Sequence, residues 1–98
     1  MSAAERKSTP IYSGVVKYFP RALAAVARVS KSGNDQHNPG QPLHWAKEKS
    51  TDHEDCIMRH LTDHASGEPH DDDGQLHLAK VAWRALAALQ TYLEKSSA

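Results

Sequence analysis

The run Leu76-His-Leu-Ala-Lys-Val-Ala-Trp-Arg-Ala-Leu-Ala-Ala-Leu-Gln-Thr-Tyr-Leu-Glu94 is written as one long α-helix. It has strong helix formers throughout, no proline or glycine, and apolar positions spaced by three and four. Leu76, Ala79, Trp83, Leu86, Leu89, Tyr92 and Leu93 spread over a broad apolar surface. Its many alanines imply close helix packing but supply little apolar bulk, which favours burying the wide face against a partner subunit.

Before this helix stands Glu68-Pro-His-Asp-Asp-Asp-Gly74, a polar loop in which Asp72 or Asp73 is expected as the N-cap. Gly67 ends a second helix that is expected to start at Ser50 or Thr51, because Thr51-x-x-Glu54 has the form of a capping box. That helix carries an unusual stripe. Helical spacing puts His53, Ile57, His60, Leu61 and His64 on one side and Asp52, Asp55, Arg59 and Asp63 beside them. Five of the chain's seven histidines lie between His53 and His77.

Further upstream, residues 34–49 form a connection longer than most helix pairs need, with a turn at Pro39-Gly40. Trp45 within it either anchors the loop to the core or offers a stacking face to a base. The first long helix is expected from Pro20, with an apolar face at Leu23, Val26 and Ala27. Lys31 in the last turn and Gly33 just beyond predict its end. Residues 11–16 are broken by Gly14 and suggest a short extended segment, and residues 1–10 a flexible arm. The predicted architecture is all-α: a small bundle of three main helices with an N-terminal extended arm and a long loop between helices one and two. Residues 11–95 would form a single helical domain.

Ninety-eight residues is the size of one domain, and twelve basic against twelve acidic residues leave a formal net charge of zero. No global basic field exists to draw the chain onto nucleic acid non-specifically, so a small-molecule partner is expected. No export signal or apolar membrane span is legible. The single cysteine, Cys56, has no intramolecular disulfide partner and is expected as a small buried residue in a reducing, cytoplasmic protein. There is no nucleotide-binding glycine signature, zinc spacing or nucleophile elbow.

Chemistry is concentrated on the second and third helices. Mg²⁺ and Mn²⁺ take oxygen ligands, and Mg²⁺ usually needs only one or two carboxylates beside water and substrate phosphates; Asp55, Asp63 and Asp73 are the candidates, with Glu54 as a fourth. Arg59 and Lys80 suit phosphate, the first as a planar fork and the second as a point charge. His60 and His77 are the candidates to orient or deprotonate water. The plainer alternative is that acids at 52, 54, 55 and 71–73 act only as caps and dipole partners, that Lys80 and Arg84 form a solvated face, and that His60 is a buried histidine satisfied by a carboxylate.

Four segments carry a family resemblance. They are Lys17-Tyr-Phe-Pro-Arg-Ala-Leu-Ala-Ala-Val-Ala-Arg-Val29, then residues 33–37 leading to Trp45, then Arg59-His60-Leu61, then Asp73-Gly74-x-x-His77-Leu78-Ala79-Lys80-x-Ala82-Trp83-x-Ala85-Leu86. In order and spacing they resemble the N-terminal domain of phage dATP/dGTP diphosphohydrolases, related to the MazG-like all-α nucleoside triphosphate pyrophosphohydrolases. The resemblance implies an oligomeric helical protein that removes pyrophosphate from a deoxynucleoside triphosphate using Mg²⁺ or Mn²⁺, in the host cytoplasm if phage-encoded. MazG-like enzymes carry Glu-Glu-x-x-Glu and Glu-x-x-Asp on successive helices. This chain has neither, reading His77-Leu-Ala-Lys80 where the second is sought.

Taken together, the expected site has His60 and His77 as catalytic groups and Asp55, Asp63 and Asp73 as metal ligands. Arg59 and Lys80 would bind phosphate, and Trp45, Asn34 and His37 would contact base or ribose. Two other classes stay open. One is a protein that captures a nucleotide without cleaving it; the other is an interaction module whose histidines fill a polar core.

Overall fold

The computed structural model describes residues 1–96. The protein is all-α, with four helices among the described residues: α1 (Ala3–Lys7), α2 (Pro20–His37), α3 (His53–Ala65) and α4 (His77–Ser96). One π-helical turn (Tyr12–Val16) precedes α2, and one 3₁₀ turn (Lys47–Lys49) precedes α3. Among the described residues there is no β-strand, only an isolated antiparallel bridge between His70 and Leu76. The longest helix organises the rest: α3 packs along α4 most extensively, and α2 packs on α4. Among the described residues no helix is long and apolar enough to cross a membrane.

Several boundaries differ from those the sequence predicts, each for a local reason. Residues 3–7 of the expected arm form the exposed helix α1, whose Ser2 Oγ accepts the Glu5 amide at 3.1 Å. The segment expected to be extended instead winds into the π-helical turn, the Lys17 amide donating to the Tyr12 carbonyl at 2.8 Å. No strand lies alongside to take its backbone groups, so they pair within the turn.

Helix α2 runs past Gly33 to His37. The reason is Asn34, which is buried and ties the following loop to the helix: its amide nitrogen donates to the Gln41 carbonyl at 3.1 Å and its oxygen accepts the His44 amide at 3.1 Å. Helix α3 starts at His53, and the Thr51/Glu54 capping box does not form; the N-cap is Asp52, with no side-chain capping bond. The Asp52 carboxylate is engaged elsewhere, with Cys56 Sγ at 3.5 Å and Arg84 Nη1 at 3.6 Å. Neither Asp72 nor Asp73 caps α4. Asp73 Oδ1 accepts the Gln75 amide at 3.0 Å, and Gly74 turns the chain at φ +82°, a conformation open to glycine.

The core is small and largely polar. Cys56, Ala79 and Ala87 are its buried apolar members, accompanied by Asn34, His53, His60 and His77. Cys56 is buried as expected, and the stripe of α3 turns inward through His53, Cys56 and His60, with Leu61 left 42% exposed. On α4 the broad apolar surface stays open, Leu86, Leu89, Tyr92 and Leu93 each being more than half exposed.

Candidate functional site

A cleft of about 920 Å³ opens between the end of α2, the loop after it, and the packed pair α3 and α4. This is within the size range of small-molecule sites. Its floor is set by the loop, which Asn34 fastens, and by an indole pair. Trp45 meets Trp83 edge to face at 5.6 Å between centroids, and Trp83 Nε1 donates to Ser30 Oγ at 3.0 Å. Trp45 therefore anchors the loop to α4 while still lining the cleft; its own Nε1 is buried without a hydrogen-bond partner. Lys47 sits 5.1 Å over the Trp45 ring.

The lining also carries charge. Arg59, Lys80 and Arg84 border the cleft together with His60, Asp71 and Asp73. Lys80 Nζ donates to Asp71 Oδ2 at 2.7 Å and to Asp73 Oδ2 at 2.8 Å. The hydrogen bond from Lys80 holds the Asp71 carboxyl down at about 2, against partial burial, with the Asp72 amide helping. Burial pushes Asp73 up, but the Lys80 bond and the Gln75 amide outweigh it and its carboxyl is lowered. Burial likewise pushes Lys80 down, and its two carboxylate partners overcome this and raise it.

Behind Lys80, at the centre of the α3–α4 interface, His60 and His77 face each other, Nδ1 to Nδ1 at 2.9 Å. Both are buried. Burial lowers the pKa of His60, assisted by the charges of Arg59, Lys80 and His77 and opposed by Asp71. Donor chemistry assigns the protons. A guanidinium only donates, so His60 Nε2, 3.4 Å from Arg59 Nη2, is the acceptor; the His60 proton then sits on Nδ1 and is given to His77 Nδ1. His77 carries its proton on Nε2, which faces Asp63 Oδ2 at 4.0 Å.

The expected site residues divide into three groups. His60, Arg59, Asp73, Lys80, Trp45, Asn34 and His37 line the cleft, with His77 directly behind His60. Asn34 is spent on holding the loop. Asp63 is on the far side of His77, and Asp55 is exposed in the first turn of α3 and lines no part of the cleft, so the three expected metal acids do not converge.

Asp71 is a cleft carboxylate beside His60 and Lys80 that the sequence suggested only as a cap. Its Oδ2 lies 3.9 Å from His60 Nδ1, and the ligand-type atoms of His60, Asp71 and His77 all fall within 4.8 Å of one another. The signal available was the run of three acids nine to seven residues before Lys80, but a cap explains such a run equally well. His53 is a second addition, its Nδ1 lying 3.4 Å from Arg84 Nη1.

No curated protein and no solved structure matches the chain. A family model described as "dATP/dGTP diphosphohydrolase, N-terminal" matches residues 2–98, all but the first residue, and the chain belongs to that family.

Proposed function

We propose that the cleft binds a purine deoxynucleoside triphosphate and that the protein cleaves it to monophosphate and pyrophosphate. The observation that carries this reading is a lining in which Arg59, Lys80 and Arg84 share one cleft of nucleotide size with the indoles of Trp45 and Trp83. Cations suit the triphosphate and an aromatic face suits a base. Membership of a family named for dATP/dGTP diphosphohydrolases supports the choice of substrate.

In this reading Arg59 and Lys80 hold phosphate oxygens, while Trp45 and His37 border the base or ribose. When Arg59 turns to phosphate it releases the lone pair of His60 Nε2, which then positions or deprotonates the attacking water, with His77 behind it keeping the ring oriented. Mg²⁺ or Mn²⁺, arriving with the nucleotide, would neutralise developing charge on the phosphates. Of the expected ligands Asp73 lines the cleft and fits such an ion; Asp55 and Asp63 stand apart. The exposed leucines of α4, Leu86 and Leu89, favour a homo-oligomer.

The test is product analysis. Each dNTP incubated with the protein and Mg²⁺ or Mn²⁺ should give monophosphate plus pyrophosphate, fastest with a purine base, and Lys80→Ala and Arg59→Ala should each raise KM at least tenfold. The scattering of Asp55, Asp63 and Asp73 favours a second reading, capture without cleavage. It is the conclusion if nucleotide binds tightly and is recovered intact.

A further inference from the structure

We infer that His60, His77 and Asp71 form a resident site for a borderline-soft transition ion such as Zn²⁺ or Co²⁺, separate from any ion carried in by a nucleotide. Metal–nitrogen bonds of about 2.1 Å set neighbouring ligand atoms about 3.0–3.4 Å apart. The two Nδ1 atoms, at 2.9 Å, already stand close to that spacing. Asp71 Oδ2, at 3.9 Å from His60 Nδ1, needs only a small approach. Two imidazoles and one carboxylate are a donor set that Mg²⁺ disfavours and that first-row transition ions accept.

The surroundings fit this role. His77 turns its remote nitrogen, Nε2, toward the Asp63 carboxylate, as metal-bound histidines commonly do; Asp63 is thereby a positioning residue for His77. Without an ion, Lys80 occupies the cation's place against Asp71 Oδ2, and when one binds, Lys80 keeps Asp73. The His60 ring must exchange its Nδ1 proton for one on Nε2, so with this ion bound His60 orients water as a donor and its role as base belongs to the ion-free protein. Nε2 then no longer accepts from Arg59, whose guanidinium is freed toward the cleft. The charge balance also admits a dication: Asp63 and Asp71 beside the imidazoles and Asp73 on Lys80 stand against two cations, Arg59 and Lys80.

The inference stands without the hydrolytic reading, because the ion is tested alone. The full chain, stripped with EDTA, is titrated with Zn²⁺, Co²⁺ or Mg²⁺ while the melting temperature and the visible Co²⁺ spectrum are followed. Zn²⁺ and Co²⁺ should saturate at one ion per chain and raise the melting temperature, with Mg²⁺ at least a hundredfold weaker. Asp71→Asn, a near-isosteric change at a partly exposed side chain, and His77→Gln should each weaken Co²⁺ binding at least tenfold, and Asp63→Asn about tenfold. His64→Ala, outside the cluster, should leave it unchanged. Circular dichroism on each variant separates loss of the site from loss of the fold. Co²⁺ binding that survives in folded Asp71→Asn, or a response no stronger than that to Mg²⁺, overturns the assignment. Nucleotide binding measured in EDTA reports separately on the cleft.

Discussion

At the residue scale, the cluster around His60 sets how the metal-free protein responds to acid. His60 is buried with its pKa lowered, and Arg59, Lys80, His77 and Asp71 face it. An unfolded histidine takes up a proton near 6.5 while the folded ring resists. The stability from keeping it neutral is therefore present at pH 7 and drains away as pH falls below about 6.5. In EDTA, the unfolding midpoint should drop between pH 7 and pH 5, and His60→Gln should flatten that slope; an unchanged slope rules the mechanism out. Asp71 acts lower on the scale. Its folded value of about 2 lies below the model-compound 3.8, so its contribution is full above 3.8 and is lost as pH falls through about 2. The shift corresponds to at most about 2 kcal/mol, less what solvent screens at a side chain 24% exposed. Urea unfolding of wild type and Asp71→Asn should differ by about that much at pH 6 and converge near pH 2.

At the scale of elements, helical spacing made α3 and α4 readable because a period of 3.6 converts sequence position directly into direction. That placed His60 inward, Lys80 on a chemical face and His77 close to both. The same rule is silent about a loop. Asp55 and Asp71 are equally acidic in sequence, yet Asp55 is exposed on α3 while the turn through Gly74 folds Asp71 back onto His60 and Lys80. The stop at Gly33 misled for a related reason: a glycine outside a positive-φ turn does not end a helix, and the buried Asn34 next to it prolonged α2 through contacts with residues ten or fewer positions ahead. Asn34 therefore makes a specific claim about the loop. Asn34→Ala removes a buried pair of hydrogen bonds and leaves the His44 amide and the Gln41 carbonyl without their partner, at a cost of about 1–3 kcal/mol. Hydrogen exchange should report it first at the His44 amide, with Trp45 following as its contact with Trp83 loosens. Full retention of His44 protection in the variant shows that something else holds the loop.

At the scale of the whole molecule, the chain exposes more than a protein of its mass should. A monomer of 10.8 kDa has an accessible surface of about 5,500 Å² by the usual scaling, and this one shows 7552 Å². Its radius of gyration is 15.3 Å, where about 13 Å is usual for 100 residues. The excess of about 2,000 Å² per chain is of the order that obligate dimers bury. Leu86, Leu89 and Leu93 recur on one side of α4 at helical spacing, each more than half exposed, and among the described residues none falls below 2% exposure. We propose a second copy of the chain as the occupant, because a self-associating face would complete the burial that one copy leaves unfinished. Sedimentation velocity at micromolar concentration should therefore give at least twice the mass of one chain. Leu89→Asp should shift the protein to monomer and lower its melting temperature, while Leu89→Met, which keeps the apolar volume, should leave the assembly intact. A wild-type protein that sediments as a monomer at 100 times that concentration ends the argument, since the open face of α4 is then compatible with a stable single chain.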